Sequence, residues 1–213
     1  MRESSHDRIP RIAITAGDVA GVGPELALRC TQLADVRQRC FPIVYGPAKA
    51  IRRIHQALQF DSEPEIRDIL GVNADEIQPG VFNADTGRAS YRAVEQAVTD
   101  AVNGHVDAIV TGPIQKEAWH AAGIRYPGHT EYLADRLDVQ DYCMMLTSED
   151  ISCVLATIHI PLADVSQCLT TQSVLRAIRL GADALARRLR RLARVIVCGL
   201  NPHAGENGIL SHG

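Results

Sequence analysis

Three of the eight histidines in this sequence stand where chemistry could be done. His129 lies in PGHTE, His159 in TIHIP and His203 in NPHAG. Each sits near the end of an apolar run or in the polar stretch that the run feeds. Neutral imidazoles gathered at one edge of a sheet can bind a divalent metal such as Zn²⁺ or polarise a hydroxyl. No H-x₃-H pair is present, so spacing alone does not define a metal set. Taken singly, each of the three has a plainer reading as a hydrogen-bonded loop residue. The other five (His6, His55, His105, His120 and His212) have no comparable context, and His55 and His120 read as helix-surface residues.

Such residues need a scaffold, and the sequence supplies a rhythm of strands and helices. The central stretch runs from Asp107 to Leu133. Ala108-Ile109-Val110 reads as a short buried strand that Thr111-Gly112-Pro113 ends. A short helix with Lys116 and Trp119 follows, Gly123 stops it, and the polar loop Pro127-Gly128-His129-Thr130-Glu131 comes next. This order builds a site at the carboxyl ends of strands. Upstream, Arg11–Thr15 reads as a first strand, and a glycine-rich turn from Ala16 to Gly23 follows it. That turn has the form of a ligand-facing anion loop. It fails G-x-G-x-x-G, because the last position counted from Gly21 is Leu26, and no Walker Gly-Lys-Ser/Thr is present.

Pro24 opens a helix over 24–34, with Glu25 in its first turn. A second strand over 41–46 and a helix over 47–58 come next. The segment 59–80 reads as irregular, with room for one short strand. Apolar spacing predicts a helix from Thr86 to Asn103, capped by Asp85 or Thr86 and stopped by Gly104. The sum is an α/β fold with a mostly parallel sheet and helices on both faces. Beyond a short helix over 131–137, the runs 143–147 and 151–157 suit an antiparallel hairpin, where a second lobe begins. The lobes are placed at 1–130 and 131–213. A long helix over 171–192 aligns Val174, Ile178, Leu185 and Leu189. Its other side carries Arg179, Arg187, Arg190 and Arg191, a stripe that Arg194 continues and whose ordinary reading is a solvated face. Arg194–Leu200 reads as a last strand.

Composition narrows the class. At 46% hydrophobic and 22% charged, the 213 residues can bury a sizeable core. A net charge of −3 argues against a dedicated nucleic-acid binder. Lys49 and Lys116 are the only lysines, and Lys116 falls inside the central stretch. Six cysteines without a C-x-x-C pair read as buried reduced thiols. The leader MRESSHDRIP lacks the apolar core of a signal peptide, and no run has the length of a membrane span. The expected setting is the cytoplasm, with neither a nucleic acid nor a membrane as partner.

Four blocks then carry a resemblance: ITAGDVAGVGPE (14–25), VTGPIQKEAWHAAGIRYPGHTEYLA (110–134), ATIHIPLADV (156–165) and VCGLNPHAGENG (197–208). Together they resemble the metal- and NAD-dependent 4-hydroxythreonine-4-phosphate dehydrogenases of vitamin B6 synthesis. The resemblance implies a fold like the isocitrate and isopropylmalate dehydrogenases, with two lobes and a cleft at a homodimer interface. His129 and Thr130 match the family's substrate-binding pair, and His159 and His203 match two of its three metal-binding histidines. The implied cofactors are NAD or NADP and a divalent metal (Zn, Mg or Co), and the implied partner is a small phosphorylated hydroxy-amino acid. The implied reaction oxidises the C3 alcohol of 4-phosphooxy-threonine, after which the β-keto acid loses CO₂. No catalytic or cofactor-binding residue is assigned.

The same resemblance implies a C-terminal part beyond the NPHAGE block, with the third metal histidine and basic phosphate contacts in it. The expectation is therefore a C-terminally truncated member in which that part is absent and independent turnover is lost. ILSHG replaces the family's usual glycine-and-acid pattern, and Gln115 stands where many relatives have His or Asn. Two alternatives accompany this reading. One is a related enzyme acting on threonate or erythronate 4-phosphate or on a cis-dihydrodiol. The other is an inactive remnant that only dimerises or binds a partner.

Overall fold

The structure, a computed structural model, describes residues 8–71 and 73–210. His6 and His212 lie outside the described residues. The chain divides into two compact units, the first ending at Asp135 and the second beginning at Arg136.

The first unit is a four-stranded parallel sheet in the order β3-β2-β1-β4. Its strands are β1 (Arg11–Thr15), β2 (Phe41–Gly46), β3 (Glu65–Asp68) and β4 (Ala108–Thr111). β1 sits between two parallel partners, with Ala13 opposite both Ile43 and Ile109. Period-two alternation sends its side chains to opposite faces. Ala13, Ile43 and Tyr45 pack with Ala93 and Ala97 of α4 (Ala84–Val102) on one face. Ile14 and Val44 pack with Leu28 and Ile51 on the other, from α1 (Gly23–Gln32) and α3 (Ala48–Ala57). Helices on both faces explain why the central strands read as continuous apolar runs. A polar knot closes this core. Buried Asp100 accepts from Tyr45 Oη at 2.7 Å and Gln96 Nε2 at 3.0 Å, and Arg67 Nε lies 3.5 Å away. Burial alone would raise the Asp100 pKa, but these hydrogen bonds and the Arg67 charge outweigh it and hold the carboxyl below its ordinary range. Burial and the neighbouring carboxylate push the Tyr45 phenol up to about 12.

Local details depart from the sequence expectations for identifiable reasons. The first helix stops at Gln32, and a second, α2 (Ala34–Arg39), follows extended Leu33. The cap of α4 is Asn83, whose Oδ1 accepts from Asp85 N at 2.9 Å and Thr86 N at 3.0 Å. Asn83 and Thr86 form a reciprocal capping box, so Thr86 is inside the helix. A helical turn, α5 (Lys116–Ala121), precedes Gly123, whose φ of +81° takes the left-handed stop.

The second unit holds the hairpin β5 (Met144–Thr147) and β6 (Ser152–Leu155), antiparallel with Met144 opposite Leu155. After a short turn, α7 (Val165–Cys168), comes α8 (Thr171–Leu189), started by a Thr170–Ser173 capping box. Gly181 lets α8 close on the hairpin, since a Cβ there would stand 2.6 Å from Val154 Cγ2. Arg188 donates to Thr147 Oγ1 and to the Ser148 carbonyl at 3.2 Å, tying the helix to the hairpin turn. Val174, Ile178 and Leu185 are half-buried, while Arg179, Arg187, Arg190 and Arg191 are exposed, as a solvated stripe requires. The helix ends three residues early, at Leu189, where Arg190 turns left-handed (φ 52°).

Two further expectations fail. Arg194–Leu200 is not a strand: no described strand pairs with it, and Ile196 is 85% exposed. Its β-branched run has strand propensity, but a strand is defined by its ladder. The cysteines are free but not buried. Cys153, Cys168 and Cys198 are exposed and the other three are half-buried. Cys143 and Cys153 lie at a two-stranded hairpin and Cys198 on an unpaired segment, neither of which has two covered faces, whereas half-buried Cys30 of α1 packs against the first unit's core. Among the described residues no helix is long and apolar enough to cross a membrane.

Candidate functional site

The carboxyl ends of β1 and β4 are locked together backbone to backbone. Asp18 N donates to the Pro113 carbonyl at 2.9 Å, and Gly112 N donates to the Thr15 carbonyl at 2.9 Å. Gly17 permits this approach, because a Cβ there would stand 2.2 Å from Pro113 O in a backbone already at φ +69°. Part of the glycine-rich turn is thereby taken up by contacts within the protein. Ala16 N donates to Tyr45 O, while Ala20 N and Gly21 N both fold back on Asp18. Residues 16–20 are buried, and only Gly21 and Val22 reach the surface. A nest that cradles an anion must leave its N–H groups free; within the turn 16–23, those of Ala16, Asp18, Ala20 and Gly21 are taken up inside the protein.

The loop after α5 is different. α6 (His129–Arg136) starts two residues earlier than the sequence pattern suggests, with Tyr132 N reaching back to the Gly128 carbonyl at 3.4 Å. His129 and Thr130 therefore occupy the first turn of a helix, both half-buried. His129 stands edge-on to Trp119, with ring centroids 5.7 Å apart at 78°. Its Nε2 is shielded from solvent and makes no hydrogen bond among the described residues. Burial pushes the imidazole below its ordinary pKa, with Glu131 opposing, so the ring is neutral at pH 7. A buried ring nitrogen without a partner costs free energy that a ligand group can recover. Lys116 lies close by, its Cε 4.0 Å from where a Cβ on Gly128 would be. Its ammonium is exposed and forms no ion pair among the described residues. The other lysine, Lys49, is neutralised by Asp75 at 2.5 Å.

The second unit carries the other two expected residues. His159 occupies an exposed bend after β6, in a left-handed conformation (φ 56°). His203 opens a left-handed turn, Pro202–Gly208, in which five successive residues from His203 to Asn207 have positive φ. For residues with a Cβ this conformation costs about 1–2 kcal/mol each. The His203 side chain is 74% exposed, and Glu206 Oε1 lies 3.9 Å from its Nε2. A catalytic Zn²⁺ is ordinarily held by three protein ligands. No three His, Cys, Asp or Glu side chains come together among the described residues. The two histidines suit the donor chemistry of a cation but not the donor number. A cavity of about 340 Å³ lined by Tyr142, Cys143, Leu155, Ile158 and Arg176 includes neither of them.

Ser90 and the aromatic wall beneath His129 were missed in the sequence. Trp119 Nε1 donates to buried Ser90 Oγ at 2.7 Å. The signal was compositional: the single tryptophan and three of five tyrosines (Tyr91, Tyr126, Tyr132) fall between 91 and 132. They assemble into one cluster of edge-to-face rings.

A mostly parallel sheet with helices on both faces and polar loops leaving its carboxyl edge defines an α/β protein. The family model described as pyridoxal phosphate biosynthetic protein PdxA matches residues 38–213, and the chain belongs to that family. It is 35% identical to D-threonate 4-phosphate dehydrogenase of Cupriavidus necator, over 97% of this chain and 67% of that one. It is 37% identical to 4-hydroxythreonine-4-phosphate dehydrogenase of Geobacter metallireducens, over 94% and 64%. The solved structure of a putative 4-hydroxythreonine-4-phosphate dehydrogenase from Salmonella typhimurium superposes with a TM-score of 0.84 at 30% identity, covering 96% of this chain and 68% of that one. The chain spans about two thirds of the length of the curated relatives it matches.

Proposed function

We propose that this chain supplies the substrate-binding turn and two metal ligands of a metal-dependent, NAD(P)-linked dehydrogenase of pyridoxal phosphate synthesis. The reaction oxidises the C3 hydroxyl of 4-phosphooxy-L-threonine. The C3 hydride passes to the nicotinamide and the hydroxyl proton leaves, giving a ketone. The C1–C2 bond of the resulting β-keto acid then breaks, CO₂ departs, and the electron pair left on C2 as an enolate takes up a proton. The observation that carries this reading is the shielded, unpartnered Nε2 of neutral His129 at the head of α6. A substrate oxygen completes its hydrogen bonding, and the Thr130 hydroxyl adds a second contact. The Lys116 ammonium beside them, with the Glu131 carboxylate at the same turn, adds a positive group that suits an anionic substrate. His159 and His203 would hold the divalent cation (Zn, Mg or Co), with the remaining donor from outside the described residues. When bound, the cation stabilises the developing alkoxide.

D-Threonate 4-phosphate is the second reading, favoured by the name of the Cupriavidus relative. Both substrates are phosphorylated hydroxy acids with a secondary alcohol. An isocitrate dehydrogenase-like homodimer with lobes over 1–130 and 131–213 belongs to the same proposal.

Calorimetric titration with each substrate tests the reading. Saturable binding that weakens at least about tenfold in His129→Ala is expected, the loss of roughly one charge-assisted hydrogen bond. Equal affinity in wild type and His129→Ala would reject it. With only two imidazoles as donors, Zn²⁺ binding is expected to be weak, and NAD(P)⁺ reduction by the 213-residue polypeptide alone undetectable. Robust turnover by that polypeptide would overturn the metal assignment.

A further inference from the structure

Ser90, Trp119 and His129 form a file that crosses α4, α5 and α6. The Ser90 hydroxyl donates to the Gly87 carbonyl at 2.9 Å, and the indole N–H of Trp119 donates to Ser90 Oγ at 2.7 Å. Ser90 and Trp119 are each 1% exposed. Gly87 allows α5 this close to α4, since a Cβ there would stand 2.1 Å from the Ala118 carbonyl. The hydrogen bond fixes the indole in depth and in plane, which apolar packing alone would not do. The fixed indole then presents itself edge-on to two rings, Tyr91 at 5.6 Å and 87° and His129 at 5.7 Å and 78°. Tyr132, one turn beyond His129, packs on Tyr91 at 5.0 Å and seats α6 on the same wall. Among the described residues the His129 Nε2 has no hydrogen bond to orient the ring. Its tilt is set by what it leans on.

We propose that Trp119, anchored through Ser90, is the positioning residue for His129. It sets the tilt and depth of the imidazole so that Nε2 meets an oxygen of a phosphorylated hydroxy acid. Ser90 acts only through the indole. This role rests on the reading of His129 as a substrate contact.

The test uses the full chain in four variants: Ser90→Ala, Ser90→Thr, Trp119→Phe and the double variant Ser90→Ala/Trp119→Phe. Three quantities are measured: the His129 ring resonances without ligand, the affinity for 4-phosphooxy-L-threonine and D-threonate 4-phosphate, and Tm. Ser90→Ala and Trp119→Phe are each expected to move the His129 ring resonances and to weaken affinity about five- to tenfold. The double variant should be no weaker than the worse single one, because the two residues act as a unit. Ser90→Thr, which keeps the hydroxyl, should restore both readouts. A fall in Tm in Ser90→Ala with His129 resonances and affinity unmoved would overturn the proposal, since that is what mere core packing does. His129→Ala separates the two ideas. If it leaves affinity unchanged, the substrate role falls, whereas the ligand-free resonances still decide whether Trp119 sets the ring.

Discussion

The two units spend similar sequence material in different ways. In the first, the apolar residues at the heart of the central strands find a helix: Ala13, Ile43, Val44 and Tyr45 are fully buried between α4 and the α1–α3 pair. In the second, Leu162, Leu192 and Ile196 are 85–89% exposed, and of α8 only Ala177 and Gly181 are buried. The difference is one of layers. A parallel sheet covered on both faces closes a core, while a two-stranded hairpin with one helix does not. The site residues divide along the same line. His129 is held by buried aromatics, whereas His159 and His203 ride on exposed turns with left-handed backbones.

The sharpest way to break this contrast is at the glycines. Gly17→Ala forces a Cβ into the Pro113 carbonyl in a left-handed backbone, and should cost the first unit about 3 kcal/mol or more. Gly181→Ala meets only the Val154 side chain, which can move, and should cost the second unit about 1–2 kcal/mol. Urea melts of both variants check the order. Amide hydrogen exchange gives the next contrast. β1, β2 and α4 should exchange only by global opening, at least about 1000-fold slower than 195–200. Similar protection in both regions would remove the distinction.

Smaller effects probe individual contacts. Tyr45→Phe removes the phenol from Asp100 and should cost about 1–2 kcal/mol at pH 7. The Asp100 carboxyl is held below its unfolded value, so its contribution is present above that value and lost as pH falls through the lower folded one. Tyr45→Phe should accordingly flatten the stability profile below about pH 4, as read from melts across pH. His129 also has a depressed pKa, so acid must charge a buried ring. Stability tied to its neutral form is full above about pH 6.5 and lost as pH falls through the folded value. Arg188→Ala, which frees the hairpin turn from α8, should be the smallest change, at or below about 1 kcal/mol.

Much of the scaffold was legible because period and punctuation agree. Strands 11–15 and 41–46, the Pro-led helices and the hairpin all appear where alternation, Pro and Gly place them. Arg194–Leu200 was not, because propensity cannot report whether a partner strand exists. The role of the glycine-rich turn was hidden for a related reason. Glycine marks close approach, but whether a ligand or Pro113 does the approaching is a tertiary fact. His129 was found from its polar loop and Thr130 through the family resemblance, and their place inside α6 rather than before it follows from the bond to Gly128. The Ser90–Trp119 link spans 29 residues, beyond any local pattern.

The central claim is that the turn at Gly128–Thr130 is where this PdxA-family chain receives a phosphorylated hydroxy acid. Titrating 4-phosphooxy-L-threonine into isotope-labelled chain tests it most directly. The account predicts saturable shifts of the His129 ring and the Thr130 amide that vanish in His129→Ala. Shifts confined to other parts of the chain, or unchanged by that substitution, would contradict it.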